Sequence, residues 1–141
     1  MQEYNKSKIK SFTDLQAWQH AHQLALLVYG LTKNYPKEEK YSLVDQMKRA
    51  ALSVTSNIAE GFGRQGQKEK IQFYFTAKAS LTELQNQLLF SKDIGYLKKS
   101  HFDDVANQTI TVSKLLVGLI RAIKRQWQIP PAYYMLHTTY L

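Results

Sequence analysis

The chain has 141 residues, 44% apolar and 21% charged, long enough for one substantial core and too apolar for wholesale disorder. It has no cysteine, which excludes disulfides and cysteinyl zinc or iron–sulfur sites. Nineteen Lys and Arg against eleven Asp and Glu give a net charge of +8, a balance suited to a polyanion or an acidic partner.

Residues 1–11 carry Lys6, Lys8 and Lys10 with little apolar content and read as a mobile basic arm. The start lacks the apolar stretch of a signal peptide and no run reaches membrane-spanning length, so the cytoplasm is the expected compartment. Thr13 with Gln16 spells a capping box for a helix running to about Lys33. Its apolar face is wide: Ala17, Ala21, Leu24, Val28 and Leu31, flanked by Leu15, Trp18, Ala25 and Tyr29, as a helix with two or more neighbours requires. Pro36 disfavours helical geometry at Tyr35 and breaks the chain. A short turn over residues 36–40 precedes a second capping box, Ser42 with Asp45.

The second helix, expected to end near Phe62 where Gly61 and Gly63 stop it, carries two stripes. Val44, Met47, Ala51, Val54 and Ile58 form the apolar one. Gln46, Arg49, Ser53, Asn57 and Glu60 follow the same spacing and read as a hydrogen-bonded network that sets helix register or lines a subunit interface. Small residues at Ala50, Ala51, Ser53, Ser56 and Ala59 allow another helix to approach closely. A third helix begins near Gln67 with Gly66 as its cap and stops at Gly95. Phe73, Ala77, Leu81, Leu84 and Leu88 mark its seam, with Tyr74 and Phe75 adding bulk. Ser100 with Asp103 announces a fourth helix, whose stripe is Val105, Thr109, Val112, Leu116, Leu119 and Ile123 and whose last turns carry Arg121, Lys124 and Arg125.

Four amphipathic helices on short connectors predict an all-α fold, an antiparallel up-down-up-down four-helix bundle over residues 12–125. Pro130-Pro131 bars helical continuation into residues 126–141. That segment, with Trp127, Tyr133 and Tyr134, is apolar enough to predict docking on the bundle, a neighbouring subunit or another protein.

The run Gln46-x-x-Arg49-Ala-Ala-x-Ser53-Val-x-Ser56-Asn57-Ile-Ala-Glu60-Gly-Phe-Gly-Arg64 resembles the signature of the four-helix-bundle proteins encoded in intervening sequences of large-subunit ribosomal RNA genes. The likeness continues through Phe12-x-Asp14-Leu15-x-x-Trp18-Gln19, Pro36-x-x-Glu39-x-Tyr41-x-Leu43, Lys68-Glu69-x-x-x-Phe73 and Ala79-Ser80-Leu81-x-Glu83-Leu84. This chain departs from the pattern at Gly66, where Ser is expected, at Lys70, where an aromatic is expected, and at Ala79, where Gly is expected. Residues 127–141 lie beyond the usual end. The resemblance implies cyclic pentamers without known catalytic activity. It implies, more distantly, a likeness to the accessory protein of diversity-generating retroelements, a basic pentamer that associates with a reverse transcriptase and its template RNA.

The residues themselves offer no catalytic site. A di-iron or di-manganese bundle needs Glu-x-x-His pairs, and none of His20, His22, His101 and His137 has Glu three residues before it. His20 and His22 diverge by about 200° on a helix, so they make no metal pair. Gly61–Gly66 lacks the Lys-Ser/Thr of a phosphate-binding loop, and Ser53, Ser56, Asn57 and Glu60 lack a histidine base. No cofactor is expected. The topology brings the start of helix one, the helix two–three connector and the end of helix four to one end. Lys6, Lys8, Lys10, Arg64, Lys68, Lys70, Arg121, Lys124 and Arg125 stand there against only Glu3, Asp14, Glu60 and Glu69. The opposite end is nearly balanced. These residues are the candidate phosphate contacts of a noncatalytic RNA-binding accessory protein. The alternative is a protein-only assembly hub whose charge keeps it in solution.

Overall fold

The computed structural model describes residues 9–128, with side chains through Gln126. Lys6, Lys8, Tyr133 and Tyr134 lie outside the described residues. Four helices, α1 (Gln16–Thr32), α2 (Leu43–Gly63), α3 (Gln67–Asp93) and α4 (Lys99–Gln128), follow one another with single 3-10 turns at Phe12–Asp14 and Lys37–Glu39. Each packs on its chain neighbours, and α1 also packs on α4, closing an antiparallel four-helix bundle. None of the described helices is long and apolar enough to cross a membrane.

The apolar stripes point inward largely as their spacing dictates. Ala21, Leu24 and Val28 of α1 meet Met47, Ala51, Val54 and Ile58 of α2, Ala77, Leu81, Leu84 and Leu88 of α3, and Val105, Val112 and Leu116 of α4. At α3 the seam holds from Ala77 onward and differs only at its first position. Tyr74 is fully buried, while Phe73, expected in the core, is half-buried. Four buried polar residues went unread: Thr32, Thr55, Gln87 and Ser91, whose hydroxyl donates to the Gln87 carbonyl at 2.7 Å.

Helix α3 starts at Gln67 with Gly66 as its cap, as expected, whereas the other helix starts differ from those expected. Ser11, not Thr13, caps the first turn: its hydroxyl accepts from the Thr13 N–H at 3.1 Å, and Asp14 Oδ2 accepts from the Ser11 and Lys10 N–H groups at 3.1 and 2.9 Å. Leu15 then swings into extended geometry to bury its side chain, and α1 starts one residue later. At α2, Ser42 donates to Glu39 Oε2 at 2.7 Å and the same oxygen accepts the Leu43 N–H at 3.4 Å. Glu39 therefore takes the role expected of the Ser42–Asp45 box, and Asp45 instead pairs with Arg49 at 3.2 Å. Helix α4 begins at Lys99, so Ser100 lies inside its first turn. Gly95, with φ of +89°, ends α3 as expected, and the Tyr96 N–H returns to the Ser91 carbonyl at 2.9 Å.

The helices are unequal, and this shapes the molecule. Gln108 Nε2 donates to the His20 carbonyl at 3.3 Å, so the second turn of α1 is level with the first third of α4. Gln67 at the head of α3 reaches Gln126 near the end of α4 at 3.2 Å. Helix α4 therefore outruns α1 and continues beside α3, where Ile71, Tyr74 and Ile120 close a second, smaller core.

Candidate nucleic-acid interface

The α2–α3 hairpin and the end of α4 build one tip of the bundle. Arg64 caps α2 in extended geometry, and its guanidinium sits 4.7 Å from the centre of the Phe73 ring. Lys68 is exposed in the first turn of α3. From α4, Lys124 places its ammonium 5.3 Å from the ring centre of Phe75, and Arg121 and Arg125 are exposed beside it. Phe75 is 43% exposed, so the tip offers an aromatic face among cations, an arrangement that can hold phosphates and stack a base. Phe75 was read as core bulk; its position next to the Tyr74 core register was the available sign that it faces outward.

Lys70 is committed elsewhere. Its ammonium donates to the Phe62 carbonyl at 2.6 Å and the Gly61 carbonyl at 3.3 Å, satisfying terminal acceptors of α2, and burial holds its pKa below the usual lysine range. Its ammonium also lies 5.4 Å from the centre of the Phe62 ring. Lys10 is exposed at the head of α1, which is set back from the tip because Gln108, rather than a residue near the end of α4, is level with His20. The helix passes the boundary expected at residue 125, and Trp127 falls within the last turn of α4.

The polar stripe of α2 divides. Ser53 and Asn57 are half-buried: the Ser53 and Ser80 hydroxyls share a hydrogen bond of 2.7 Å across α2 and α3, and Asn57 Nδ2 donates to the Ser53 carbonyl and hydroxyl at 2.8 and 3.0 Å. Gln46, Arg49 and Glu60 are exposed. Elsewhere, His22 is exposed and stacks on Trp18 with ring centres 4.7 Å apart. Among the described residues no three His, Asp or Glu side chains converge as metal ligands would.

The 23S rRNA-intervening sequence protein model matches residues 13–118. The chain belongs to that family. The match spans all four helices and stops short of the last turns of α4. A crystal structure of a protein of unknown function from the S23 ribosomal protein family of Bacteroides thetaiotaomicron aligns with a TM-score of 0.69 and 21% identity, over 74% of this chain and 95% of that one. At that identity the likeness speaks for the fold. No curated protein matches the chain. The likeness to the retroelement accessory protein rests on the sequence resemblance alone.

Proposed function

We propose that this family member is a noncatalytic accessory protein that associates with itself and binds RNA through the phosphate backbone at its α2–α3 and α4 tip. The observation that supports the reading is that Gln67 meets Gln126, so Arg64 and Lys68 of the α2–α3 hairpin share one tip with Arg121, Lys124 and Arg125 of α4, where Lys124 lies over exposed Phe75. Such an arrangement binds by neutralising phosphates and releasing counterions, with little reading of sequence. The family description, which names a ribosomal RNA, agrees with an RNA partner. Self-association into a ring, a pentamer in the form the resemblance implies, would multiply the cationic tip into one rim. Exposed Leu26, Phe90 and Ile110 are apolar surface that such association could cover. Service to a ribonucleoprotein enzyme such as a reverse transcriptase is the form of accessory role that the more distant likeness suggests.

Copurification from the native host tests this reading. RNA that accompanies the protein and is lost on nuclease treatment supports it. A clean protein spectrum, with oligomers intact, favours the assembly hub.

A further inference from the structure

A second cationic feature lies at the other end of the bundle, where the sequence had seemed to balance its charges. A cleft of about 190 Å³ opens between the end of α1, the Lys37–Glu39 turn and the start of α2. Lys33, Lys37, Lys40 and Lys48 line it, with Tyr35 and Val44 among its apolar walls. None of the four lysines forms an ion pair among the described residues. Lys48 lies 4.7 Å from the Tyr29 ring centre and Lys40 lies 5.4 Å from that of Tyr41.

Two of the nearby carboxylates, Glu39 and Asp45, are held by other partners. Glu39 accepts from Ser42 and Leu43 with one oxygen and from the Tyr96 hydroxyl, at 3.2 Å, with the other. Burial, the Glu39 hydrogen bond and the fields of Glu39 and Glu38 raise the Tyr96 pKa. Asp45 is held by Arg49. A lysine that merely complements the negative end of α1 would account for Lys33, but Lys37, Lys40 and Lys48 converge on the same cleft from the turn and from α2.

We propose that this cleft binds a phosphomonoester attached to a sugar, the group presented by a nucleoside 5′-monophosphate and by the 5′-phosphorylated end of an RNA strand. A monoester carries about −1.5 to −2 at neutral pH, so it gains more from four ammonium groups than a singly charged diester does. Water occupies about 30 Å³ per molecule, so the cleft has room for roughly six waters, or for a phosphate with part of its sugar. The walls of Tyr35 and Val44 suit the C–H face of that sugar.

The test is an amide NMR titration of the full chain with adenosine 5′-monophosphate and with adenosine, beside binding of one oligoribonucleotide carrying either a 5′-phosphate or a 5′-hydroxyl. Adenosine 5′-monophosphate should shift amides within residues 32–48, and adenosine should not. Lys37→Gln with Lys40→Gln should weaken monophosphate binding at least tenfold with unchanged circular dichroism, while Lys68→Gln leaves it intact. A preference for the 5′-phosphorylated strand that the double variant abolishes would identify an RNA end as the ligand. Monophosphate binding without that preference would identify a free nucleotide. Equal shifts with adenosine, shifts spread over every lysine-rich surface, or full binding by the double variant would overturn the proposal. Because the cleft is at the end opposite Arg64 and Lys124, its failure would leave the RNA reading of the other tip standing.

Discussion

At the scale of single residues, Gly61 shows how a motif position is decided by a neighbour rather than by its own helix. It was read as a helix stop, yet it is buried within the last turn of α2, and a Cβ there would meet Tyr74 Cε1 at 2.7 Å and Phe73 Cβ at 2.9 Å. Helix propensity alone favours Ala over Gly by about 1 kcal/mol. Overpacking against a fully buried ring costs about 1–3 kcal/mol. Gly61→Ala should therefore lower the melting temperature, and a rise would show that propensity prevails. Tyr74 carries a second consequence. Burial pushes its pKa up to about 12 from the usual 10.0 of a tyrosine, so the folded state resists ionisation more than the unfolded chain. The sign follows: stability is intact below pH 10 and falls as pH rises from 10 through about 12. Tyr35 and Tyr96 shift in the same direction, the first because burial outweighs the lowering effect of the neighbouring Ser91 hydroxyl. Denaturant midpoints measured between neutral pH and pH 12 should decline, and Tyr74→Phe should flatten part of that decline. Lys70→Met, which removes the α2 cap, should cost on the order of 1 kcal/mol, the usual worth of one hydrogen bond, while barely changing RNA affinity.

At the scale of elements, α2 and α3 form the most closely tied pair, and the Ser53–Ser80 hydrogen bond fixes how they slide against each other. A double-mutant cycle on Ser53→Ala and Ser80→Ala should give a coupling of about 0.5–1.5 kcal/mol, whereas a value near zero would make the pair a solvated coincidence. The helices were legible because periodic stripes such as Val44, Met47, Ala51, Val54 and Ile58 must be buried whatever surrounds them. The caps were less so. Ser11-x-x-Asp14 and Thr13-x-x-Gln16 spell the same local pattern, and the choice between them turns on Leu15 reaching the core, a tertiary contact that no four-residue window contains. Glu39 likewise displaced the expected Ser42–Asp45 box from outside the helix it caps. Polar partners across helices, such as Ser80 for Ser53, require the register that the fold itself supplies.

At the scale of the whole molecule, up-down-up-down topology brings the α2–α3 hairpin and the end of α4 to one end, as chain order alone had implied. What chain order could not give was helix level. The short α1 leaves Lys10 set back, and the longer α3 and α4 carry Arg64, Lys68, Arg121, Lys124 and Arg125 to a common tip with Phe75. The opposite cleft escaped notice because a net count cancels Lys33, Lys37 and Lys40 against Glu38 and Glu39, whereas the fold commits Glu39 to Ser42, Leu43 and Tyr96. If the tip is multiplied by self-association, light scattering should give several times the 16.4 kDa chain mass, and a monomer in mild salt would contradict that part of the account. The central claim is tested most directly by the salt dependence of binding to a 5′-hydroxyl oligoribonucleotide, which leaves the phosphomonoester cleft out of play. Arg64, Lys68 and Lys124 changed together to Gln should weaken binding and reduce the slope of log affinity against log salt by roughly 2, from about 0.7 per phosphate contact on a single strand. Lys33, Lys37 and Lys40 changed likewise should leave both affinity and slope near those of the unaltered protein. Equal losses from the two triples would contradict a nucleic-acid interface at the α2–α3 and α4 tip.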